Sequence, residues 1–252
     1  MNKISLSKAS SRQFHIHSTI HSITQKSHGA GILSLWLLIE VQLFDYLCIH
    51  LIGSILESEL SIWAERNGCR SVGQAGFRKG FTTLDHIFTL RALIEEGRAH
   101  NKRIYCCFVD FRKAFDTVPR ARLMQRLEAL GVPTDMQWGI YALYESVSGK
   151  VRSSNGLSEA VASTIGVKQG CPLSPTLFGL HIDEVSHYIE RFGGSGIAIQ
   201  ILLYPDVIVL ISDSPKGLQR HWNALKVFCT NKGFSINMVK RKWWCLTPLK
   251  HR

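Results

Sequence analysis

RIYCCFVDFRKAFDTVPRARLMQRLEALG, residues 103–131, sets a run of β-forming residues directly before a carboxylate and an amphipathic helix. Residues 103–111 are a run of β-formers, apolar at consecutive positions from Ile104 to Val109, the pattern of a strand buried on both faces. Asp110 closes this strand, and ligand sites favour the carboxyl end of a strand that leads into a crossover. A strand-end aspartate also serves as a helix cap or turn former, so on these residues alone both roles stay open for Asp110. Asp116 is the better candidate for the cap, because it stands just before the helix start at Pro119. In that helix Leu123, Leu127 and Leu130 recur at the spacing of a buried stripe. Cys106 and Cys107 read as small core residues.

Upstream, QAGFRKGFTT (74–83) is a glycine-rich basic loop. Thr83 is placed to cap a helix from Leu84 to about Gly97, with Leu84, Ile87, Leu90 and Ile94 on one face. Arg78 and Lys79 suit either a solvated turn or a contact with backbone phosphate. Downstream, 137–150 suggests a helix and KVRSSNGLSEAV a hairpin turning at Asn155–Gly156. IGVKQGCPLSPTLF (165–178) makes a shaped loop, and a helix starts near Ser174–Pro175 carrying Leu177, Phe178, Leu180, Ile182 and Val185. Gln169, between a lysine and a glycine ahead of that helix, suits contact with a phosphate or base edge.

IQILLYPDVIVLIS (199–212) reads as two short strands joined at Tyr204-Pro205-Asp206, with Ile199, Leu202, Ile208 and Leu210 as core candidates. A carboxylate at the tip of an apolar hairpin must be exposed or paired, since burying it alone costs several kcal/mol. Residues 217–233 form an amphipathic helix with Leu218, Leu225 and Phe228 inward and Gly233 as its C-cap. FSINMVKRK then gives a short strand and a basic end. The order of elements describes an α+β fold, a sheet covered by helices on one face.

The composition agrees. The 252 residues are 45% hydrophobic, which excludes wholesale disorder and a mainly coiled-coil chain. Thirty lysines and arginines against 19 acids leave a formal charge of +11, favouring polyanionic partners, above all nucleic acid. Seven cysteines without a C-x-x-C argue against a disulfide framework and a zinc ribbon, and for an intracellular setting. Residues 1–29 read as a basic, serine-rich tail with a composition that organelle transit peptides share. Residues 30–56 are apolar and long enough to span a bilayer. A span would bury Glu40 and Asp45 at roughly 2.5–3.5 kcal/mol each, so a buried helix or a divergent segment is the preferred reading, with no stable membrane partner.

Five segments in order resemble a reverse transcriptase of the non-LTR (LINE-like) retrotransposon group, over residues 57–242. QAGFRKGFTTLD resembles the fingers box, FVDFRKAFDTV the first carboxylate box and GVKQGCPLSPTLF the glutamine–glycine box. LLYPDVIVL resembles the box usually written Tyr-Ala-Asp-Asp, and FCTNKGFSINMVK the lysine box. The resemblance implies a reverse-transcriptase palm, a ferredoxin-like antiparallel sheet with helices on one face, plus partial fingers. It implies phosphoryl transfer from a deoxynucleoside triphosphate (dNTP) to a DNA primer on an RNA template, in the nucleus or cytoplasm. The family places two Mg²⁺ ions about 3.5–4 Å apart on hard oxygen ligands. By resemblance Asp110, the Phe111 carbonyl and Asp206 are metal ligands. Phe115 faces the sugar, Gln169 and Gly170 border the incoming nucleotide, and Arg78 helps the fingers. Tyr204 opens the second carboxylate box, and Lys240 stands near the leaving pyrophosphate as a general acid.

The sequence departs from the family at several points. Val207 stands where the family has its second aspartate and cannot bind metal, and Pro205 replaces the usual alanine. The strand into Tyr204 is short. An Arg-Pro-Ile box is missing from the first 70 residues, and VKRKWWCLTPLKHR differs from the usual lysine-threonine-lysine strand. Residues 243–252 read as a basic end, with thumb, endonuclease and RNase H regions absent. The resemblance with these departures implies a fingers–palm piece that has lost its activity. Two further readings stand beside it: a nucleic-acid-binding remnant without chemistry, and a decayed reading frame without function.

Overall fold

The computed structural model describes residues 31–145, 147–149, 152–153, 156–193, 197, 199–204 and 207–246. The basic tail 1–29, the turn residue Asn155, and both Pro205 and Asp206 lie outside the described residues.

Helix α1, Gly31–Arg66, includes both the apolar segment and residues 57–66, which the change of composition at 57 sets apart. Its stretch Leu47–Arg66 is long and apolar enough to cross a membrane by length and composition. Leu60 and Ala64 nevertheless sit fully buried in the main core, as one stripe of a helix packed against a globular body does. The helix ends where Gly68 takes φ 61° and the Cys69 N–H returns to the Ala64 carbonyl.

Helix α2, Thr83–Ala99, is capped by Thr82 rather than Thr83. The Thr82 hydroxyl accepts from the Leu84 N–H and the Asp85 carboxylate reaches back to the Thr82 N–H. The expected face packs only in its C-terminal half: Leu84 and Ile87 are exposed, Leu90 and Ile94 are partly buried, and Leu93 and Gly97 beside them are buried. The reason is the approach to the sheet. A side chain at Gly97 would stand 2.9 Å from the Ile104 Cγ1, so α2 meets the sheet through its C-terminal half.

Strand β1, Ile104–Asp110, carries Asp110 at its C-terminal end as expected. Helices α3 (Arg120–Ala129) and α4 (Thr134–Tyr144) follow, and α4 starts and stops earlier than the sequence pattern indicates. It starts directly after Pro133, and Val147–Gly149 is drawn into an extended pairing instead. Strand β2 (Ser148–Gly149) pairs with β5 (Val161–Ala162), and β3 (Arg152–Ser153) with β4 (Gly156–Leu157). Helix α5, Leu173–Ile182, starts one to two residues early, directly after Pro172. Val185 belongs to a separate helix, α6 (Glu184–Gly193). Between them the buried Asp183 accepts from the Ser71 N–H at 2.7 Å and from its hydroxyl, and burial pushes its carboxyl up.

The hairpin of β6 (Ile201–Tyr204) and β7 (Val207–Ser212) keeps its register to the end, with Tyr204 opposite Val207. Helix α7, Pro215–Lys232, is capped by Ser214 and ended by Gly233 at φ 80°. The final strand comes later than expected: Phe234–Lys240 makes only an isolated bridge, Phe111 with Ile236, and β8 is Lys242–Leu246. The sheet thus reaches past residue 242, because the second edge of β1 finds its ladder partners in that segment.

The four strands form one antiparallel sheet in the order β6-β7-β1-β8. Residue alternation sorts the side chains by face. Cys107, Val109, Ile201, Leu203, Ile208 and Leu210 enter the main core together with buried residues of α3 to α7. Cys106, Leu202 and Ile211 point the other way, where Leu90 and Leu93 of α2 cover part of the second face. An α+β palm with helices mainly on one face is what the element order predicts.

Candidate active site

Asp110 ends β1 with its side chain 16% exposed, open to a ligand yet held by neighbours. Its carbonyl accepts from the Asn237 N–H at 2.8 Å, and its Oδ2 accepts from Asn237 Nδ2 at 3.3 Å. Lys240 Nζ lies 3.0 Å from the same oxygen, with its own side chain 68% exposed. An ion pair with so exposed a partner contributes about 0–1 kcal/mol, so it orients the carboxylate without locking it. Directly across the ladder from Asp110 stands Val207, 36% exposed. The position where the resemblance expects a second carboxylate therefore presents a branched hydrocarbon to the first.

Phe111 turns its ring into the core, 5.2 Å from Phe234. Phe115 is half-buried, stacked on Phe178 at 4.6 Å and touched edge-on by Phe77 at 5.9 Å. A ring fixed by a buried partner beneath it is a firm wall for whatever lies on its open side. Phe77 escaped the sequence reading, although its φ of 55° marks it as unusual for a residue with a side chain.

Gln169 and Gly170 are exposed. Gln169 Nε2 donates to Asp116 Oδ1 at 2.7 Å, so Asp116 is not a helix cap: α3 has no side-chain cap, and Asp116 steadies the glutamine instead. This contact depends on Gly166. Its φ is 82°, and a Cβ there would meet the Asp116 carbonyl oxygen at 2.9 Å. That close approach lets the Gly166 N–H reach the Val118 carbonyl and the Val167 N–H the Phe115 carbonyl.

Three residues hold the loop from behind. Arg120 Nε donates to the Gly166 carbonyl at 2.9 Å, and its other nitrogens reach the carbonyls of Ser163 and Ile165. The Tyr144 hydroxyl accepts from the Lys168 N–H and bonds the Ser174 hydroxyl, which donates to the Lys168 carbonyl. Burial pushes the Tyr144 phenol up and the Lys168 ammonium down, as expected for groups beneath a loop. The signal for Arg120 and Tyr144 in the sequence is slight, since an arginine at a helix start and a tyrosine at a helix end are commonplace.

Arg78 is employed within the fold. It forms a two-pronged pair with Glu65 at 2.8 Å, donates to the carbonyls of Ser71 and Gln74, and lies 4.3 Å from the Phe81 ring centre. Tyr204 is partly exposed, edge-on to His86 at 6.1 Å. Asp206 lies outside the described residues.

Among the described residues no group of three or more His, Cys, Asp or Glu is placed to hold a metal ion. A two-ion centre needs several hard oxygen ligands around both ions. The described residues offer one carboxylate, with two donors already on one of its oxygens and a valine opposite.

The comparisons with known proteins speak to the family and the fold. The family described as "Reverse transcriptase (RNA-dependent DNA polymerase)" matches residues 69–250. The Pol polyprotein of a type-1 retrotransposable element R2 from Nasonia vitripennis is 28% identical over 156 residues, covering 61% of this chain and 15% of that relative. The type-2 element R2DM of Drosophila melanogaster is 26% identical over 170 residues, covering 66% and 16%. The chain therefore spans less than a fifth of the length of these two relatives. Among solved structures, telomerase from Candida tropicalis in complex with a fragment of telomeric RNA superposes with a TM-score of 0.65 at 13% identity, over 89% of this chain and 37% of that one. Telomerase from Candida albicans gives 0.62 at 14% identity, over 87% and 38%. At such identities the likeness speaks for the fold.

Proposed function

Because the chain belongs to the reverse transcriptase (RNA-dependent DNA polymerase) family, with relatives among the Pol polyproteins of non-LTR retrotransposons, we propose that its palm holds an RNA template and a DNA primer without extending the primer. The observation that carries this reading is the pairing of Asp110 with Val207. Enzymes of this family use divalent metal ions, and a palm with one carboxylate replaced by valine would lack an oxygen ligand for the ions that neutralise the triphosphate. Losing one member of a preorganised charged site costs about 10²–10³ in rate.

What remains suits binding. The +11 charge favours phosphates, and Phe115, Gln169 and Gly170 form a wall and rim for a nucleotide or template base. Lys240 beside Asp110 keeps that carboxylate from repelling the backbone of a bound strand.

The test is Mg²⁺-dependent primer extension on an RNA template with the purified chain, beside Asp110→Ala and Val207→Asp. The expected result is salt-sensitive binding of the RNA–DNA hybrid and no extension by the native sequence. Val207→Asp gains extension, and adding Asp110→Ala removes it again. Extension by the native chain that disappears in Asp110→Ala overturns the loss of chemistry. A folded native chain that does not bind the hybrid overturns the binding and leaves the decayed reading.

A further inference from the structure

Among the described residues strand β8 is an edge of the sheet, and its sequence is Lys-Trp-Trp-Cys-Leu. Trp243 is 42% exposed and Trp244 54% exposed. Natural sheets blunt their edges with charge or proline, so two exposed tryptophans on an edge strand, one on each face as their ladder partners Cys107 and Cys106 are, call for a partner. Beside them is a shallow cavity of about 370 Å³, whose lining includes Tyr105, Pro215, Leu218 and both tryptophans; none of its seven lining residues is acidic.

The surroundings are cationic. Lys240, Arg241 and Lys242 run directly into the tryptophan pair, and Lys216 follows Pro215 at the start of α7. The Arg241 guanidinium lies 4.8 Å from the ring centre of Trp222 and 5.4 Å from that of Trp243. Trp222 in turn meets Trp243 edge-on at 5.7 Å. One arginine thus fixes the inner tryptophan from behind and keeps its charge beside the aromatic faces.

We propose that this sheet edge is a stacking shelf for the unpaired bases of a nucleic-acid strand, a second binding surface apart from the site at Asp110. Bases carry π-faces that stack on exposed aromatic rings without regard to sequence, while flanking cations hold the linking phosphates. A patch meant for an apolar protein surface has no use for Arg241 and Lys242 beside its rings, whereas a polyanion does. The position is separate from the polymerase site. Trp243 pairs with Cys107, three residues before Asp110 on β1, roughly 10 Å along the strand. The two surfaces share one loop, since Lys240 turns to Asp110 and Arg241 to the tryptophans.

The experiment titrates the full chain with a short fluorescent oligoadenylate, as RNA and as DNA, and with an abasic strand carrying the same number of phosphates. Oligoadenylate is expected to quench tryptophan fluorescence and to bind about 5- to 100-fold tighter than the abasic strand. Trp244→Ala removes that advantage, Trp244→Phe retains most of it, and both variants still bind the RNA–DNA hybrid. The ribose or deoxyribose strand that binds tighter identifies the source of the bases. Equal affinity for the abasic strand, or a Trp244→Ala protein that keeps the advantage, overturns the shelf. So does a native dimer that Trp244→Ala dissolves while strand binding is unchanged, which would make the edge a contact between copies of this chain.

Discussion

Placing an aspartate at Val207 restores the missing carboxylate, and its consequence for stability follows from the ladder register. Asp110 and residue 207 are direct cross-strand partners. Opposed α-carbons in an antiparallel pair stand about 4.5–5.5 Å apart, so the two carboxylates face each other at about 5 Å. Their repulsion is about 0.8 kcal/mol in water and about 3 kcal/mol at the effective dielectric of a protein surface. Val207 is 36% exposed and the Asp110 side chain 16%, which puts the pair between these limits. Lys240 offsets part of it, about 1 kcal/mol at most, because its side chain is largely in water. Without divalent metal, Val207→Asp is expected to lose about 1–3 kcal/mol. Mg²⁺ binds the restored pair only when the chain is folded, so it returns stability in proportion to the logarithm of its concentration. The assay is urea unfolding followed by tryptophan fluorescence, in chelator and in Mg²⁺. The native chain is expected to be indifferent to Mg²⁺ and the variant to recover with it. A variant as stable as the native chain in chelator, or a native chain that Mg²⁺ stabilises equally, refutes the reasoning.

Phe178 is fully buried beneath Phe115, and Phe178→Ala should cost about 3–5 kcal/mol in urea unfolding; a loss below about 1 kcal/mol would mean that Phe115 has another support. His181 is fully buried, and burial first, then the nearby Lys232 charge, pushes its pKa down to about 4. The folded chain keeps this ring neutral while the unfolded chain protonates it near 6.5, so its contribution is intact above pH 6.5 and is lost as pH falls towards 4. The loss amounts to about 3 kcal/mol, and His181→Leu should flatten the stability curve in that window; an unchanged slope in the variant would assign the acid sensitivity to another group.

The strand before Asp110, the helices around Leu123 and Leu225, and the hairpin closing at Tyr204 and Val207 are legible because hydrophobic spacing and caps act between chain neighbours. The face of α2 is legible only in its C-terminal half, where Leu90 packs. Leu84, Ile87, Leu90 and Ile94 make one stripe, but how much of it packs depends on where the sheet lies, and Gly97 is the position that lets Ile104 approach. The final strand lies beyond Phe234–Lys240, whose residues suit a strand, because the free edge of β1 recruits Lys242–Leu246. Arg78 offers a phosphate contact on paper; Glu65, thirteen residues earlier, takes it once α1 and the loop are folded together.

The sequence by itself determined the order of the boxes, the identity of the family they resemble, the surplus of positive charge and the substitution of valine for a carboxylate. These are properties of residue type and spacing, which no folding step alters. Only the tertiary structure decided that Val207 faces Asp110, that Lys240 and Asn237 share one oxygen of that aspartate, and that Asp116 holds Gln169 from 53 residues away. The same holds for the aromatic shelf, where Trp222 of α7 and Trp243 of β8 meet across Arg241. Each of these contacts joins segments whose separation along the chain carries no local signal. Ladder register and the exclusion of water from a shared core bring them together.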